Sequence, residues 1–162
     1  MAGGNEMKNL VFLLIMVLSC NLTVYAQGRS GNKSSSGTEN TSTGGTMKIS
    51  VGNRVLVAAL AHNSSSEALK ELLKAGPITV HMRDYGNFEK VGGLGRSLPT
   101  NDERFTTEPG DLILYQGNSF VIYYAPNTWT FTRLGKINGV TGEELIDILG
   151  KGNVTVILEA VE

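Results

Sequence analysis

Gly52-Asn53 and Gly117-Asn118 each stand between two apolar runs of strand length, and no other feature restricts the fold of this chain so tightly. A two-residue connection containing Gly supplies the positive backbone angle that matches the twist of paired strands, so each site reads as an antiparallel hairpin. Ile49 and Val51 then lead into Val55, Val57 and Ala59, and residues 111–116 lead into residues 119–124. Elsewhere Ile78, Val80 and Met82 alternate with Thr79, His81 and Arg83, while Trp129, Phe131 and Arg133 alternate with Thr130, Thr132 and Leu134. That period of two is the signature of half-buried strands. A short strand is expected around residues 94–98, and a last apolar run covers residues 154–158.

Two helices interrupt the strands. Ser64 and Glu67 have capping-box spacing, Ala68, Leu69, Leu72 and Leu73 make one stripe, and Gly76-Pro77 supplies the stop. The second helix starts at Thr141-x-x-Glu144, buries Leu145, Ile146 and Leu149, and ends at Gly150. The order is therefore strand, strand, helix, five strands, helix, strand. Eight mostly antiparallel strands are best satisfied by closing the sheet, which removes exposed edges and leaves an interior that side chains fill. The expected fold is mainly β: a closed eight-stranded barrel with two short helices capping its ends.

The barrel accounts for residues 47–162. Residues 1–26 read as a secretion signal, in which Lys8 precedes the apolar run from Leu10 to Leu18, too short to span a bilayer, and Met7 is a possible start. Val24-Tyr25-Ala26 suits a signal peptidase, giving a periplasmic or secreted product that starts at Gln27. Val17-Leu18-Ser19-Cys20 offers the alternative of a bacterial lipobox, with Cys20 lipidated and the protein anchored to a membrane. Residues 27–46 are a Gly/Ser/Thr-rich linker that buries too little apolar surface to offset the entropy of ordering. Asn32-Lys33-Ser34 and Asn40-Thr41-Ser42 match the glycosylation acceptor pattern, which has meaning only in a eukaryotic secretory route.

A net charge of −1 with mixed signs along the chain gives no reason to bind nucleic acid, and a membrane is reached only through Cys20. With one cysteine in the sequence an intramolecular disulfide is impossible. Asp102, Glu103 and Glu108 lack calcium-loop spacing, so no metal is expected. Gly92-Gly93-Leu94-Gly95 has neither a strand before it nor a helix after it, so it reads as a turn rather than a phosphate cradle, and no cofactor is expected. The common hydrolase motifs are also missing.

The function is expected around residues 84–111, a segment too long for an ordinary connection. Candidate ligand-binding residues are Tyr85, Phe88, Glu89 and Arg104 in this segment, and Trp129 and Arg133 on a strand that borders it. Trp, Tyr and Arg together make the usual composition of a binding hot spot. Against this, Trp129 and Phe131 at i, i+2 also suit core packing. A partly buried Arg133 requires a carboxylate or carbonyl, and Glu89 is the expected partner.

The order of elements resembles that of cyclophilins. The phrases Asp84-Tyr85-Gly86-Asn87-Phe88-Glu89-Lys90-Val91-Gly92, Ser97-Leu98-Pro99-Thr100, Glu108-Pro109-Gly110-Asp111, Tyr115-Gln116-Gly117-Asn118 and Thr132-Arg133-Leu134-Gly135-Lys136-Ile137 are similar to a bacterial cyclophilin-like domain family. The resemblance covers residues 47–162. It implies a barrel whose activity is largely unassigned, in a family some of whose members are associated with flavodoxin-like domains. True cyclophilins isomerise X-Pro bonds, with an Arg weakening amide resonance and so lowering the ~18–20 kcal/mol rotational barrier. Their Phe-His-Arg-Val, Gln-Gly-Gly-Asp and Trp-Leu-x-x-x-His phrases are absent here, and His81-Met82-Arg83 matches them loosely. Arg83 is therefore the one catalytic candidate, set against a solvated or loop-pairing charge. The reading that results is a module binding a peptide or small ligand, more a binder than an enzyme. The alternatives are a weak peptidyl-prolyl isomerase and an accessory domain of a flavodoxin-associated redox system.

Overall fold

The computed structural model describes residues 44–161. The expected leader and residues 27–43 of the expected linker, with Cys20 and both glycosylation patterns, lie outside the described residues, while Thr46 at the end of that linker already belongs to the first strand. Nine strands and two helices follow one another as β1 (Thr46–Val51), β2 (Arg54–Leu60), α1 (Ser64–Lys74), β3 (Ile78–Tyr85), β4 (Glu89–Gly93), β5 (Glu103–Thr106), β6 (Asp111–Tyr115), β7 (Ser119–Tyr123), β8 (Thr128–Ile137), α2 (Gly142–Leu149) and β9 (Val154–Ala160).

Eight of the strands close into an antiparallel barrel in the order β2-β1-β9-β3-β4-β7-β6-β8, with β8 returning to β2. The closed, mainly β fold expected from the hairpin signals is thus what the chain adopts. At the seam Leu60 pairs with Gly135. A Cβ on Gly135 would run into the Ala59 carbonyl oxygen, so only Gly lets β8 approach β2 there. β8 also carries a bulge, since Leu112 pairs with Gly135 but Ile113 with Arg133. Phe131 and Thr132 precede the bulge and keep the expected alternation; both are buried because both faces of β8 are covered there, Thr132 opposite Leu114 of the interior and Phe131 in a cluster on the outer face.

The barrel interior is one apolar cluster that includes Ile49, Leu56, Val80, Leu114, Phe120 and Leu158. Leu69 and Leu73 of α1 and Leu145 and Leu149 of α2 belong to the same cluster, which is how two short helices become stable. α2 has the expected capping box at Thr141 and Glu144. α1 corrects the expectation by one residue: Asn63 is the N-cap and accepts from the Ser66 N–H. Asn63 also donates to the Arg133 carbonyl at 2.7 Å, and the Ser66 hydroxyl donates to that of Leu134 at 2.8 Å. The cap therefore ties the helix to β8 as well as starting it.

Several expectations about the strands and their connections are corrected. On β2 the buried face is Leu56, Ala58 and Leu60, while Val55 and Val57 face solvent. The two-residue turn pairs Val51 with Arg54, which puts Leu56 opposite Ile49 and hence on its face. Residues 94–98 form no strand; the pairing with β7 is made by β4, five residues earlier. The segment 84–111 is accordingly no long loop, because it holds β4 and β5. Gly86 and Asn87 carry φ of 60° and 58° and turn the chain from β3 into β4; Tyr85 pairs with Glu89, so the loop is the three residues 86–88, as at 116–118, where Tyr115 pairs with Ser119 and the expected two-residue Gly117-Asn118 turn is one residue longer. Gly92 and Gly93, read as a turn, are strand residues of β4.

β5 stands outside the barrel. It pairs with the first half of β8, Phe105 opposite Trp129, so the β5–β8 pair projects beyond the closed sheet.

A candidate binding recess on the outer face

Outward side chains of a barrel strand ordinarily meet water. On β6, β7 and β8 they do not: Ile113, Val121, Tyr123 and Phe131 form a second buried cluster, separate from the interior. Phe88, Val91, Phe105 and Tyr115 pack against it. The cover comes from two projections, the β3–β4 hairpin with Phe88 and the β5–β8 pair with Phe105. Between them lies an open recess of about 490 Å³, within the range of small-ligand sites.

Aromatic rings set its shape. Tyr85 meets Phe88 edge-on at 6.1 Å, Phe88 stacks on Tyr123 at 6.1 Å, and Tyr123 meets Phe131 at 5.6 Å. All are favourable pair geometries. Tyr85 and Trp129 line the recess yet remain 58 % and 56 % exposed. Two charged groups line it, Arg83 and Glu89. Arg83 stands opposite Val91 and Tyr85 opposite Glu89. Arg83 and Glu89 are therefore diagonal neighbours on one face, about 7–8 Å apart.

Glu89 is 8 % exposed. Burial raises its pKa, and a hydrogen bond from the Tyr123 hydroxyl acts in the opposite sense. Tyr123 is itself shifted up, first by burial and then by Glu89. Asn127 donates to the Tyr123 oxygen at 3.4 Å. Glu89, Tyr123 and Asn127 make a polar strip along an otherwise aromatic surface.

The opposite face of the same hairpin is built differently. Lys90, 1 % exposed, pairs with Asp84 at 2.8 Å and donates to the carbonyls of Gly150 and Gly152 at 2.7 Å each. The Gly152 N–H returns a 2.6 Å bond to Asp84, whose carboxyl is held below its ordinary pKa chiefly by Lys90. Every donor of the ammonium is used. This is a lock between the hairpin and the connection from α2 to β9.

The recess thus brings together Arg83, Tyr85, Phe88, Glu89 and Trp129 among the residues singled out in the sequence. Arg104 and Arg133 are not in its lining. Glu89 is not the partner of Arg133, correcting that expectation: Arg133 binds the fully buried Asp111 at 2.7 Å and lies 4.3 Å over the Phe105 ring. The bulge in β8 directs it toward β6 rather than toward the hairpin. Trp129 is exposed, not core, because it lies on the part of β8 that has left the barrel. Tyr123, Val121 and Asn127 line the site without having been singled out. A signal for the first two exists, since the run from Phe120 to Tyr124 is apolar on both faces, as in a strand covered on both sides.

Among the described residues no group of three or more His, Cys, Asp or Glu side chains is placed to hold a metal ion. Nor is any helix among them long and apolar enough to cross a membrane.

The sequence profile of the cyclophilin-like family matches residues 49–159, nearly the whole barrel. The solution structure of a hypothetical protein from Archaeoglobus fulgidus is similar in fold, with a TM-score of 0.50 at 14 % identity over 72 % of this chain and 94 % of that one. No curated protein matches this chain.

Proposed function

This chain belongs to the cyclophilin-like family, and we propose that it is a binding module whose outer recess takes a peptide or small ligand. The observation that carries this reading is the exposure of Tyr85 and Trp129 on either side of a floor that is itself buried. Large rings left in water around a concavity are the composition and shape of a binding hot spot. The experiment is a screen of immobilised peptides and small amides against the intact chain, repeated with Trp129→Ala and Tyr85→Ala. Retained binding in both variants would refute the recess as the site.

A second reading has one specific support. Arg83 is exposed and lines the same recess as the apolar floor, and it forms no ion pair among the described residues. A free guanidinium beside a hydrophobic surface is what weakening of a prolyl amide requires. Slow isomerisation of a Pro-containing test peptide by the intact protein, lost in Arg83→Ala, is the outcome this reading expects; no isomerisation by the intact protein would refute it.

We further propose that the protein is exported. The support is the run from Leu10 to Leu18 after Lys8, followed by the Ala26 cleavage pattern. Mass spectrometry of the exported protein should find Gln27 first; a diacylglyceryl group on Cys20 would replace this with the anchored form.

A further inference from the structure

We infer, on the reading that the outer recess is a binding site, that its Glu89 end takes an alkylammonium group seated between aromatic faces. Glu89 is more than nine-tenths buried and lines the recess. The ion pairs among the described residues engage Glu67, Glu71, Asp84, Glu108 and Asp111, never Glu89. Asp111, fully buried, shows what completion looks like: Arg133 at 2.7 Å, the Glu108 N–H at 2.8 Å and Lys136 at 3.5 Å. An ionised carboxyl accepts about four hydrogen bonds, and the protein supplies Glu89 with the Tyr123 hydroxyl.

The missing partner is a cation with donors, and the surroundings suit an organic one. Tyr85, Phe88, Tyr123 and Trp129 present ring faces and edges around the same space. Such rings attract an ammonium and its adjoining methylenes together. A purely aliphatic group would leave the buried carboxyl without a charge partner. An anion would face it with like charge. Arg83, diagonal to Glu89 and about 7–8 Å away, is placed for an acceptor oxygen at the other end of the ligand. A lysine residue within a peptide carries both groups, its ammonium and its carbonyl, separated by four methylenes.

Trp129 is the sole tryptophan of the chain and lines the recess, so its fluorescence reports occupancy directly. The intact chain is titrated with Nα-acetyl-lysine amide, with butylammonium, and with Nα-acetyl-norleucine amide, which keeps the four side-chain carbons and lacks the ammonium. Saturable binding of an ammonium probe about tenfold or more tighter than the norleucine amide is expected, and Glu89→Gln should erase that difference. Lysine amide preferred over butylammonium assigns the group to a peptide lysine; equal binding assigns it to a free amine. Norleucine amide binding as tightly as lysine amide, or discrimination persisting in Glu89→Gln, would overturn the ammonium assignment while leaving the recess reading in place. Silence toward all three probes also overturns it, and the peptide screen with Trp129→Ala then decides the recess reading separately.

Discussion

Glu89 and Lys90 are neighbours in β4, both buried, and they face opposite sides of the β3–β4 hairpin. On the Lys90 side the protein supplies one carboxylate and two carbonyls to one ammonium, and nothing is left for a ligand to do. On the Glu89 side it supplies one hydroxyl and an open aromatic recess. Burial of charge alone therefore says little about function. Completion of its partners separates a structural lock from a site.

The largest effect should come from breaking the lock. Lys90→Ala leaves Asp84 and two carbonyls without their cation, and urea unfolding should show a loss of ~3–5 kcal/mol. A loss below about 1 kcal/mol would mean that water replaces the ammonium and that the two faces do not differ as argued. Next is Trp129→Ala, which should weaken a recess ligand by ~2 kcal/mol or more in a titration, while its stability stays within about 0.5 kcal/mol of the parent. A several-kcal/mol drop in stability would return Trp129 to the core.

The pH dependences should run in opposite directions. Asp84 has a lowered pKa, so its contribution is full above its unfolded value near 3.9 and is lost as pH falls through the folded value. Glu89 has a raised pKa, so its contribution is full below about 4.3 and is lost as pH rises through the folded value. Unfolding curves of Asp84→Asn and Glu89→Gln against pH check both signs: Asp84→Asn should flatten the acid limb, and Glu89→Gln the decline above it. The smallest effect is Glu89→Gln at neutral pH, which should leave stability unchanged or raise it by no more than about 1 kcal/mol. Destabilisation there would identify a hidden partner for Glu89.

Much of the barrel was legible because strand pairing is announced locally. Gly52-Asn53 and the alternation of Ile78, Val80 and Met82 carry their own geometry, and closure follows from the need to remove edges. Gly86-Asn87 carried the same signal, but Glu89-Lys90-Val91-Gly92-Gly93 after it lacks an alternating apolar pattern, and β4 was hidden. Its side chains are chosen for a lock and a recess rather than for a core. Val55 and Val57 misled for a related reason. Residues 55–60 are apolar at every position, and composition cannot choose between two faces that differ by one residue of register.

Of the site, Tyr85, Phe88, Glu89 and Trp129 were visible as residue types that seek partners, and Arg83 as a charge at a strand end. What their sequence positions determined was the presence of unspent aromatic and charged side chains near two hairpins. Which of them meet was decided by the tertiary structure alone: the bulge in β8 sends Arg133 to Asp111, and β5 pairs beyond the barrel to hold Trp129 across from Tyr85. Hairpins are local and repeat the same backbone rules wherever they occur. A recess between a hairpin and a strand pair drawn from distant segments depends on how the closed sheet twists and where one strand leaves it, and no stretch of the chain encodes that by itself.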